Sequence, residues 1–436
     1  MMRALLARLA RCVPVLGLLA ACAACSGGPA GGGSVTIMVP WSGAEFQAFY
    51  SVVKRFEART GIQVNVEVTR ATTQQLDAAL AAGLPPDLAV LPSVGAVELY
   101  ADRKATDGRL RPLDIDPGRF VAPFSGLMTV DRQVFAVPVK ADVKSLIWYD
   151  PEVTRDPPTT LAAQRAFSPP AGAPWCLGLA SGPTSGWPGA DWIADILLAG
   201  PDGVGTYEKW VAGTQKWDSA PVEAAWRTWG GLVRDSAARA PVTEFSAAAK
   251  GMTQQHPSCA LDHGALSAMG FGADLVQEKD YDFAGSPGRA PLEVSGDFVG
   301  MFAAHNPRAT ELIEYLSGQD AQTAWVGQTA GHAFSASREV PISAYPKGIE
   351  ARIAAMLRPE SGHTLCFSAA DLMPPDLSAA FYRAVLNYTA NRGDPSGLLR
   401  QLDKVRGDLD QPQAPNGPAC STPPRALADV PPADAP

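Results

Sequence analysis

Apolar residues in the first hundred positions follow two periods, one typical of strands and one of helices. Residues 35–39 form an apolar run, whereas the apolar positions from Phe46 to Phe56 recur at helical spacing until Gly61. Valine and isoleucine then alternate with polar residues over 62–68, as in a half-buried strand. The same criteria predict a short helix at 74–82, a strand at 87–91 and a helix at 96–101. This β-α-β-α-β order predicts a largely parallel sheet covered by helices.

The rest of the chain continues as a mixture of strands and helices. Residues 140–144 lie between two predicted strands and are interpreted as a crossover into a second lobe. The stretch 292–302 is predicted to form a strand, a turn around Ser295–Asp297 and a second strand. Eight prolines in the last 26 residues predict an unstructured tail at 411–436. The other predicted elements are strands at 134–139 and 145–149, a helix opening at 188, and helices at 207–211, 221–233, 307–317, 377–389 and 396–405.

The N-terminus has the features of an exported, lipid-anchored protein. Three arginines precede the apolar run Val13–Leu19, which is too short to span a bilayer and indicates a signal peptide at 1–21. The run ends in Leu19-Ala20-Ala21-Cys22, which is similar to a bacterial lipobox, so Cys22 is the predicted site of diacylation. Two acyl chains are enough for stable anchoring. Residues 22–34 are rich in glycine and predict a flexible tether.

Composition limits the classes of partner. Hydrophobic residues make up 46% and charged residues 18% of the chain, as in a globular protein long enough for two lobes. A net charge of -8 without any block of Lys or Arg argues against a nucleic-acid partner. The sequence has no P-loop, no nucleophile elbow and no His-Glu-x-x-His, and its five histidines lack metal-ligand spacing. No catalytic residue, metal or cofactor is therefore predicted.

The cysteines bear on the lipid anchor and on disulfides. If Cys22 carries the lipid, Cys25 is an odd thiol; if Cys25 carries it, the mature chain keeps four cysteines, an even set suited to an oxidising compartment. Leucine at the third position before the cysteine favours Cys22, with Cys25 as the alternative. The four cysteines that follow the tether are predicted to form the disulfides Cys176–Cys259 and Cys366–Cys420.

The stretch Ser181–Leu198 combines a Gly/Pro-rich loop with Trp187, Asp191 and Trp192 at the start of a helix. A flat apolar ring beside a carboxylate suits a sugar, which has a rim of hydroxyl groups and an apolar C–H face. In the alternative interpretation, Pro188 opens the helix, Asp191 interacts with its N-terminal dipole and Trp192 faces a core. For Trp192, burial in the core is the favoured interpretation. Ligand contact is favoured for Trp187, in the loop.

Two further loops are candidates, because ligands of parallel α/β sheets collect at the carboxyl ends of strands. One loop follows the first predicted strand and contains Trp41 and Glu45, and the other follows the third and contains Pro92 and Ser93. Trp41 is equally compatible with a lid over the sheet edge, and Glu45 with the first turn of the next helix. Both alternatives stay open at the level of sequence.

Four motifs occur along the chain in the order found in one group of bacterial proteins. They are the lipobox, Pro85-Pro86-Asp87-Leu88, the strand at 144–149 and SGWPGADWI at 185–193. Over about 35–405 the chain resembles the solute-binding lipoproteins of bacterial sugar ABC importers, especially the α-glucoside and oligosaccharide branch. The resemblance implies an α/β, two-lobed periplasmic-binding-protein-like fold (type II), each lobe a mostly parallel sheet with flanking helices, joined by hinge strands. The implied lobes are 35–141 plus 291–335 at the N-terminal side and 142–290 plus 336–410 at the C-terminal side.

The resemblance also implies a binding site and a function. Carried over motif by motif, the ligand contacts are Trp41, Glu45, Pro92, Ser93, Lys144, Trp187, Asp191, Gly296 and Asp297. Two segments depart from the family pattern, since Asp262–Leu266 lacks the usual aromatic and Ala370 stands where a serine is usual. The implied protein is monomeric and not an enzyme. It is lipid-anchored on the extracytoplasmic face of the membrane, captures a mono- or oligosaccharide and presents it to an ABC permease. The alternatives are another solute, namely a glycerophosphodiester, a polyamine or a peptide, and a secreted glycosidase.

Overall fold

A computed structural model describes residues 33–102, 109–285, 291–304, 306–391, 393–409 and 415–421. The signal peptide, the two candidate lipidation sites Cys22 and Cys25, and most of the tether lie outside the described residues. Within these ranges, every helix is too short or too polar to cross a bilayer.

Strands and helices alternate over most of the described chain. The strands are β1 (Ser34–Val39), β2 (Gln63–Val68), β3 (Leu88–Leu91), β4 (Thr129–Val130), β5 (Gln133–Val134), β6 (Ala136–Val143), β7 (Leu146–Tyr149), β8 (Ala173–Trp175), β9 (Cys259–His263), β10 (Asp282–Gly285), β11 (Leu292–Met301) and β12 (Leu365–Phe367). The helices are α1 (Gly43–Thr60), α2 (Thr72–Ala81), α3 (Val94–Ala101), α4 (Phe124–Leu127), α5 (Leu161–Ala166), α6 (Trp187–Leu198), α7 (Gly203–Val211), α8 (Ala220–Leu232), α9 (Phe245–Ala248), α10 (Leu266–Met269), α11 (Pro307–Ser317), α12 (Gln319–Val326), α13 (Ile349–Met356), α14 (Ala369–Leu372), α15 (Pro375–Ala390) and α16 (Ser396–Asp408). Each predicted helix is present, with ends that differ by a few residues.

The first sheet contains the predicted β-α-β-α-β unit. Its strand order is β12-β11-β3-β1-β2, with β6 also paired to β11, and β1 runs parallel to both β2 and β3. Helix α1 covers this sheet with Phe49, Val53 and Phe56, all of them buried. Their helical spacing places them on one face, and burying each such side chain contributes about 1.5–3 kcal/mol. We call this sheet and the helices that cover it the first lobe.

The second sheet has the order β10-β7-β9-β8 and differs from the mostly parallel arrangement that the family resemblance implies. Strand β7 is antiparallel to both β9 and β10, whereas β8 and β9 are parallel. The reason lies in the two crossings between the sheets. Strand β7 follows β6 as the chain leaves the first sheet, and β10 comes just before the chain returns to that sheet in β11. The neighbouring strands β7 and β10 therefore run in opposite directions. We call this sheet and helices α6, α7, α8 and α15, which pack together, the second lobe.

The crossings at the hinge are strands. Strand β6 runs without interruption over Ala136–Val143, so residues 140–143, predicted to lie between two strands, are part of it. Strand β11 is also continuous, with a register shift between Asp297 and Phe298 where a turn is predicted. Pairing with β6 along β11 satisfies the backbone groups that a turn would leave unpaired. On the other side, the Ala141 amide donates to the Phe334 carbonyl at 2.8 Å.

The segment 336–410, assigned from the resemblance to the C-terminal lobe, contributes one strand to the first sheet. Strand β12 lies in this segment and pairs in parallel with residues Leu292–Val294 of β11. This pairing gives the outer end of β11 a backbone partner, which an unpaired edge would lack. The lobe boundary therefore differs from the predicted one at β12.

The prediction of an unstructured tail is wrong for residues 415–421. Cys420 forms a disulfide with Cys366 of β12, and the amide of Phe367 donates to the carbonyl of Ala419 at 2.8 Å. The amide of Asn416 donates to the carboxylate of Glu98 in α3 at 2.7 Å. These bonds hold the segment on the outer edge of β12. Proline content alone does not reveal them, because they involve partners far away in the sequence.

Both predicted disulfides are confirmed. The bond between Cys176 and Cys259 joins the chain just after β8 to the start of β9, with an S–S distance of 2.07 Å. The core assignment of Trp192 is confirmed as well, since it is 3% exposed, and Trp226 of α8 is fully buried. Trp192 lies flat on the ring of His263 with the centroids 4.9 Å apart.

Candidate functional site

A cavity of about 420 Å³ lies between the two lobes, beside the hinge strands. The first lobe contributes residues of α2 and the loop before α3, and the second lobe contributes Thr184, Trp187 and Tyr382. Its volume is within the range of about 300–1,000 Å³ that small-molecule sites occupy. Its position between lobes is also one where such sites are common.

Lys140 of β6 occupies the first-lobe side of the cavity and is held by two carboxylates. Its Nζ lies 2.9 Å from Glu45 Oε1 and 2.8 Å from Asp142 Oδ2, and its side chain is 5% exposed. Asp297 is the register partner of Lys140 on β11. The indole N–H of Trp41 donates to Asp297 Oδ2 at 2.8 Å. Burial raises the pKa of Asp297 to about 6, although Lys140 and Trp41 act to lower it.

Lys144 forms a second charged group on the other side of the hinge. Its Nζ lies 2.9 Å from Asp191 Oδ2 in α6 and 3.2 Å from Asp371 Oδ2 in α14. Burial raises the pKa of Asp191 to about 6, against the attraction of Lys144. Burial alone would lower the pKa of Lys144, but Asp191, Asp371 and Glu293 raise it well above its ordinary value. Lys144 is therefore a cation held among carboxylates.

Trp187 is the first residue of α6 and not, as predicted, a loop residue. The helix begins here because Gly186 takes a left-handed conformation (φ 106°), in which a side chain would collide with the carbonyl of Tyr382. The Trp187 ring is half-buried and meets Phe245 edge-on at 5.2 Å. The Nζ of Lys144 lies 5.6 Å from its centroid. The ring thus lines the cavity next to a charged group.

The structure divides the predicted contact residues into two sets. Six of them line the cavity, namely Pro92, Ser93, Lys144, Trp187, Gly296 and Asp297. The other three lie behind the lining and hold its members: Trp41 binds Asp297, Glu45 binds Lys140 and Asp191 binds Lys144. Trp41 is 3% exposed and packs on Phe49 and Trp325, so it lies behind the cavity surface, and its contact with a ligand stays a prediction.

Several lining residues were missed by the sequence reasoning, above all Lys140, Asp142 and Asp371. A signal for two of them is present in the sequence, because Lys140, Asp142 and Lys144 alternate with apolar residues. Side chains two apart on a strand point to the same face, so a strand assignment would have brought Lys140 and Asp142 to the face that lines the cavity. No local pattern indicates Asp371, which meets Lys144 only through the tertiary fold.

The arrangement is suited to reversible binding of a polar molecule with an apolar face. It offers carboxylate acceptors, ammonium donors and the aromatic rings of Trp187 and Tyr382 within a single cavity. Among the described residues, no cluster of histidine, cysteine and carboxylate side chains has the arrangement of a metal site.

Comparison with known proteins identifies the family. Residues 51–346 match the family described as bacterial extracellular solute-binding protein. The chain is 28% identical over 413 residues to the alpha-glucosides-binding periplasmic protein AglE of Rhizobium meliloti, covering 86% of this chain and 88% of that protein. It is also 28% identical over 398 residues to the osmoprotective compounds-binding protein GgtB of Synechocystis, covering 85% and 91% respectively.

A solved structure shares the fold. The bacterial solute receptor AcbH, for which an exclusive preference for β-D-galactopyranose is described, superimposes with a TM-score of 0.74. The two chains are 17% identical, and the match covers 86% of this chain and 99% of AcbH. This confirms the two-lobed α/β fold. Since the family match spans more than half of the sequence, the chain belongs to the bacterial extracellular solute-binding proteins.

Proposed function

We propose that this protein binds a carbohydrate in the cavity between its lobes and presents it to the permease of an ABC importer. The observation that carries the proposal is the half-buried Trp187 ring, set beside the paired charges of Lys144 and Asp371. A sugar presents C–H groups to such a ring and hydroxyl groups to such donors and acceptors. The similarity to a protein named for binding α-glucosides supports an α-glucoside as the first compound to test.

Charge pairing argues against a phosphodiester. Phosphate groups favour arginine or lysine side chains whose charge is not already neutralised. In this cavity Lys140 is paired with Glu45 and Asp142, and Lys144 is paired with Asp191 and Asp371. A phosphate that binds at either lysine would have to displace carboxylates that are already in contact. Uncharged hydroxyl groups can instead bond to these pairs as they stand.

A polyamine is the second candidate, because the lining has more carboxylates than cations. The described lining residues include the carboxylates Asp77, Asp142, Asp297, Asp371 and Asp376 and the cations Arg70, Lys140 and Lys144. A protonated amine is attracted by such an excess. We prefer a carbohydrate because the two buried lysines neutralise the innermost carboxylates. A polyamine would need these carboxylates to be unpaired.

The protein acts by binding and not by catalysis. A glycosidase needs one carboxylic acid that donates a proton and one carboxylate that attacks or activates water. Here the carboxylates of Asp142 and Asp371 are each engaged in an ion pair with a lysine, so neither is available for these two roles as it stands. The family to which the chain belongs is one of binding proteins, which supports the same conclusion.

The lipid anchor forms part of this proposal. A monomer tethered outside the cell membrane through Cys22 keeps the captured sugar close to its permease. We expect the wild-type protein to fractionate with membranes and the Cys22→Ala variant to be released. Retention of Cys22→Ala together with release of Cys25→Ala would assign the anchor to Cys25.

A thermal-shift screen of the purified full chain tests the proposed ligand. The panel contains maltose, trehalose, sucrose, spermidine and glycerophosphocholine, followed by calorimetry for any compound that raises the melting temperature. A compound at about 100 times its Kd adds about 2.7 kcal/mol of stability. We expect stabilisation by at least one sugar, with the sugar recovered intact by mass spectrometry. Stabilisation by spermidine or glycerophosphocholine alone would refute the carbohydrate proposal, and a shortened sugar would refute the binding role.

A further inference from the structure

A row of cationic and aromatic side chains runs beside the cavity from one lobe to the other. Arg70 follows β2 in the first lobe, and its guanidinium carbon lies 5.4 Å from the ring centroid of Phe245 in the second lobe. The ring of Phe245 meets that of Trp187 edge-on at 5.2 Å. Trp187 lies in turn beside Lys144 at the hinge, with 5.6 Å between Nζ and the ring centroid. The row therefore links the two lobes and the hinge.

Each end of the row is held by its own lobe. Arg70 Nη2 donates to the hydroxyl of Ser42, just before α1, at 3.1 Å. The amide of Phe245 donates to the carbonyl of Ala180 at 3.1 Å, which fixes the start of α9 in the second lobe. A cation and a ring attract each other only within about 6 Å. Rotation of the lobes away from each other would therefore break the contact between Arg70 and Phe245.

We propose that Arg70 is an interlobe latch, which docks on Phe245 when the lobes close and through it holds the Trp187 ring in position. Arg70 lines the cavity as well, but as a latch it acts through Phe245, and the surface that stacks on the sugar is Trp187. This inference rests on the proposed carbohydrate function for the role of Trp187. The contact between the two lobes stands independently of the solute. Because the latch forms only after closure, it acts mainly on the release of the sugar.

The size of the effect follows from the exposure of Arg70. An exposed cation–π contact contributes about 0.5–1 kcal/mol, which corresponds to about a two- to fivefold change in a rate constant. We expect Arg70→Ala to raise the dissociation rate constant koff by that factor, while the association rate constant changes less. Arg70→Lys keeps the charge but lacks the flat guanidinium group, so it should give an intermediate koff.

Stopped-flow measurement of maltose release tests the latch. Phe245→Leu should raise koff at least as much as Arg70→Ala, and combining the two should raise it no further than Phe245→Leu alone, because both remove the same contact. Arg59→Ala is the matched control, since Arg59 lies 5.8 Å from the ring of Tyr315 within the first lobe. Its koff should equal that of the wild type. A wild-type koff in Arg70→Ala, or additive effects in the double variant, would refute the latch.

Small-angle X-ray scattering of the sugar-free protein provides a measurement that does not depend on the ligand. Loss of the latch should favour open lobes and raise the radius of gyration of Arg70→Ala and Phe245→Leu above that of the wild type and Arg59→Ala. If the wild type binds none of the sugars, the proposed function is refuted, and the scattering measurement alone tests whether Arg70 holds the lobes together. In that case, an unchanged radius of gyration in Arg70→Ala refutes the latch.

Discussion

Replacing Lys144 by methionine tests whether the buried carboxylates at the hinge depend on this one cation. Lys144 is 9% exposed at its side chain and contacts Asp191 and Asp371, and Glu293 close by is fully buried. Methionine keeps a long unbranched side chain but removes the charge. Breaking a buried ion pair from one side costs about 3–5 kcal/mol, because the remaining charge is left without compensation. At this cost the ratio of folded to unfolded protein falls by roughly a hundred- to several-thousandfold.

The stability loss of Lys144→Met should depend on pH. Burial raises the pKa of Asp191 from 3.8 to about 6 and that of Glu293 well above its ordinary value. An acid with a raised folded-state pKa binds its proton more tightly when folded, so stability falls as pH rises from the unfolded-state pKa through the folded-state pKa. Without Lys144 these pKa values rise further. The destabilisation should therefore be largest near pH 8 and smaller near pH 5, where the carboxyl groups can take up protons.

Urea unfolding followed by tryptophan fluorescence, at pH 5 and at pH 8, measures both effects. Lys54→Met is the control, since Lys54 pairs with Glu57 on the surface, and its unfolding midpoint should equal that of the wild type. Adding Asp191→Asn to Lys144→Met removes one of the uncompensated charges and should restore part of the stability at pH 8. A Lys144→Met midpoint equal to the wild type at pH 8, or a loss that grows at pH 5, would refute this account of the hinge charges.

Further substitutions separate binding from folding. Trp187→Ala should weaken sugar binding by roughly 1–3 kcal/mol in calorimetry with little change in stability, because its ring is half-buried at the cavity. Trp226→Ala should instead lower the free energy of unfolding by about 3–5 kcal/mol, since it leaves a cavity in the core; unfolding of Trp187→Ala with unchanged affinity per folded molecule would reverse these roles. Trp41→Phe removes the N–H that lowers the pKa of Asp297, which is about 6 in the wild type. That pKa should rise in the variant, and the pH at which sugar binding is half-maximal should rise with it. Trp325→Phe leaves that N–H in place, and equal pH profiles for the two variants would argue against a positioning role of Trp41.

The elements of the fold were largely predictable because each depends on a local period. The apolar spacing of α1 and the alternation in β2 specify a face to be buried, and burial of that face stabilises the helix or strand wherever it packs. The inward stripe of α8, including Trp226, was predictable for the same reason. The two expected disulfides are formed by Cys176 with Cys259 and by Cys366 with Cys420. Trp187 lines the cavity, as its predicted role in ligand contact requires, although it is the first residue of α6 and not a loop residue.

Tertiary structure decided which of the candidate residues reach the cavity. Trp41 and Glu45 follow a strand of the first sheet as predicted, yet they act through partners 256 and 95 residues away, Asp297 and Lys140. Asp371 pairs with Lys144 across 227 residues. A residue's spacing determines which face of its element it occupies. The spacing does not reveal which distant face lies opposite, because the opposing face depends on how the two lobes pack. The pairing of these buried charges is therefore decided by the packing of the lobes.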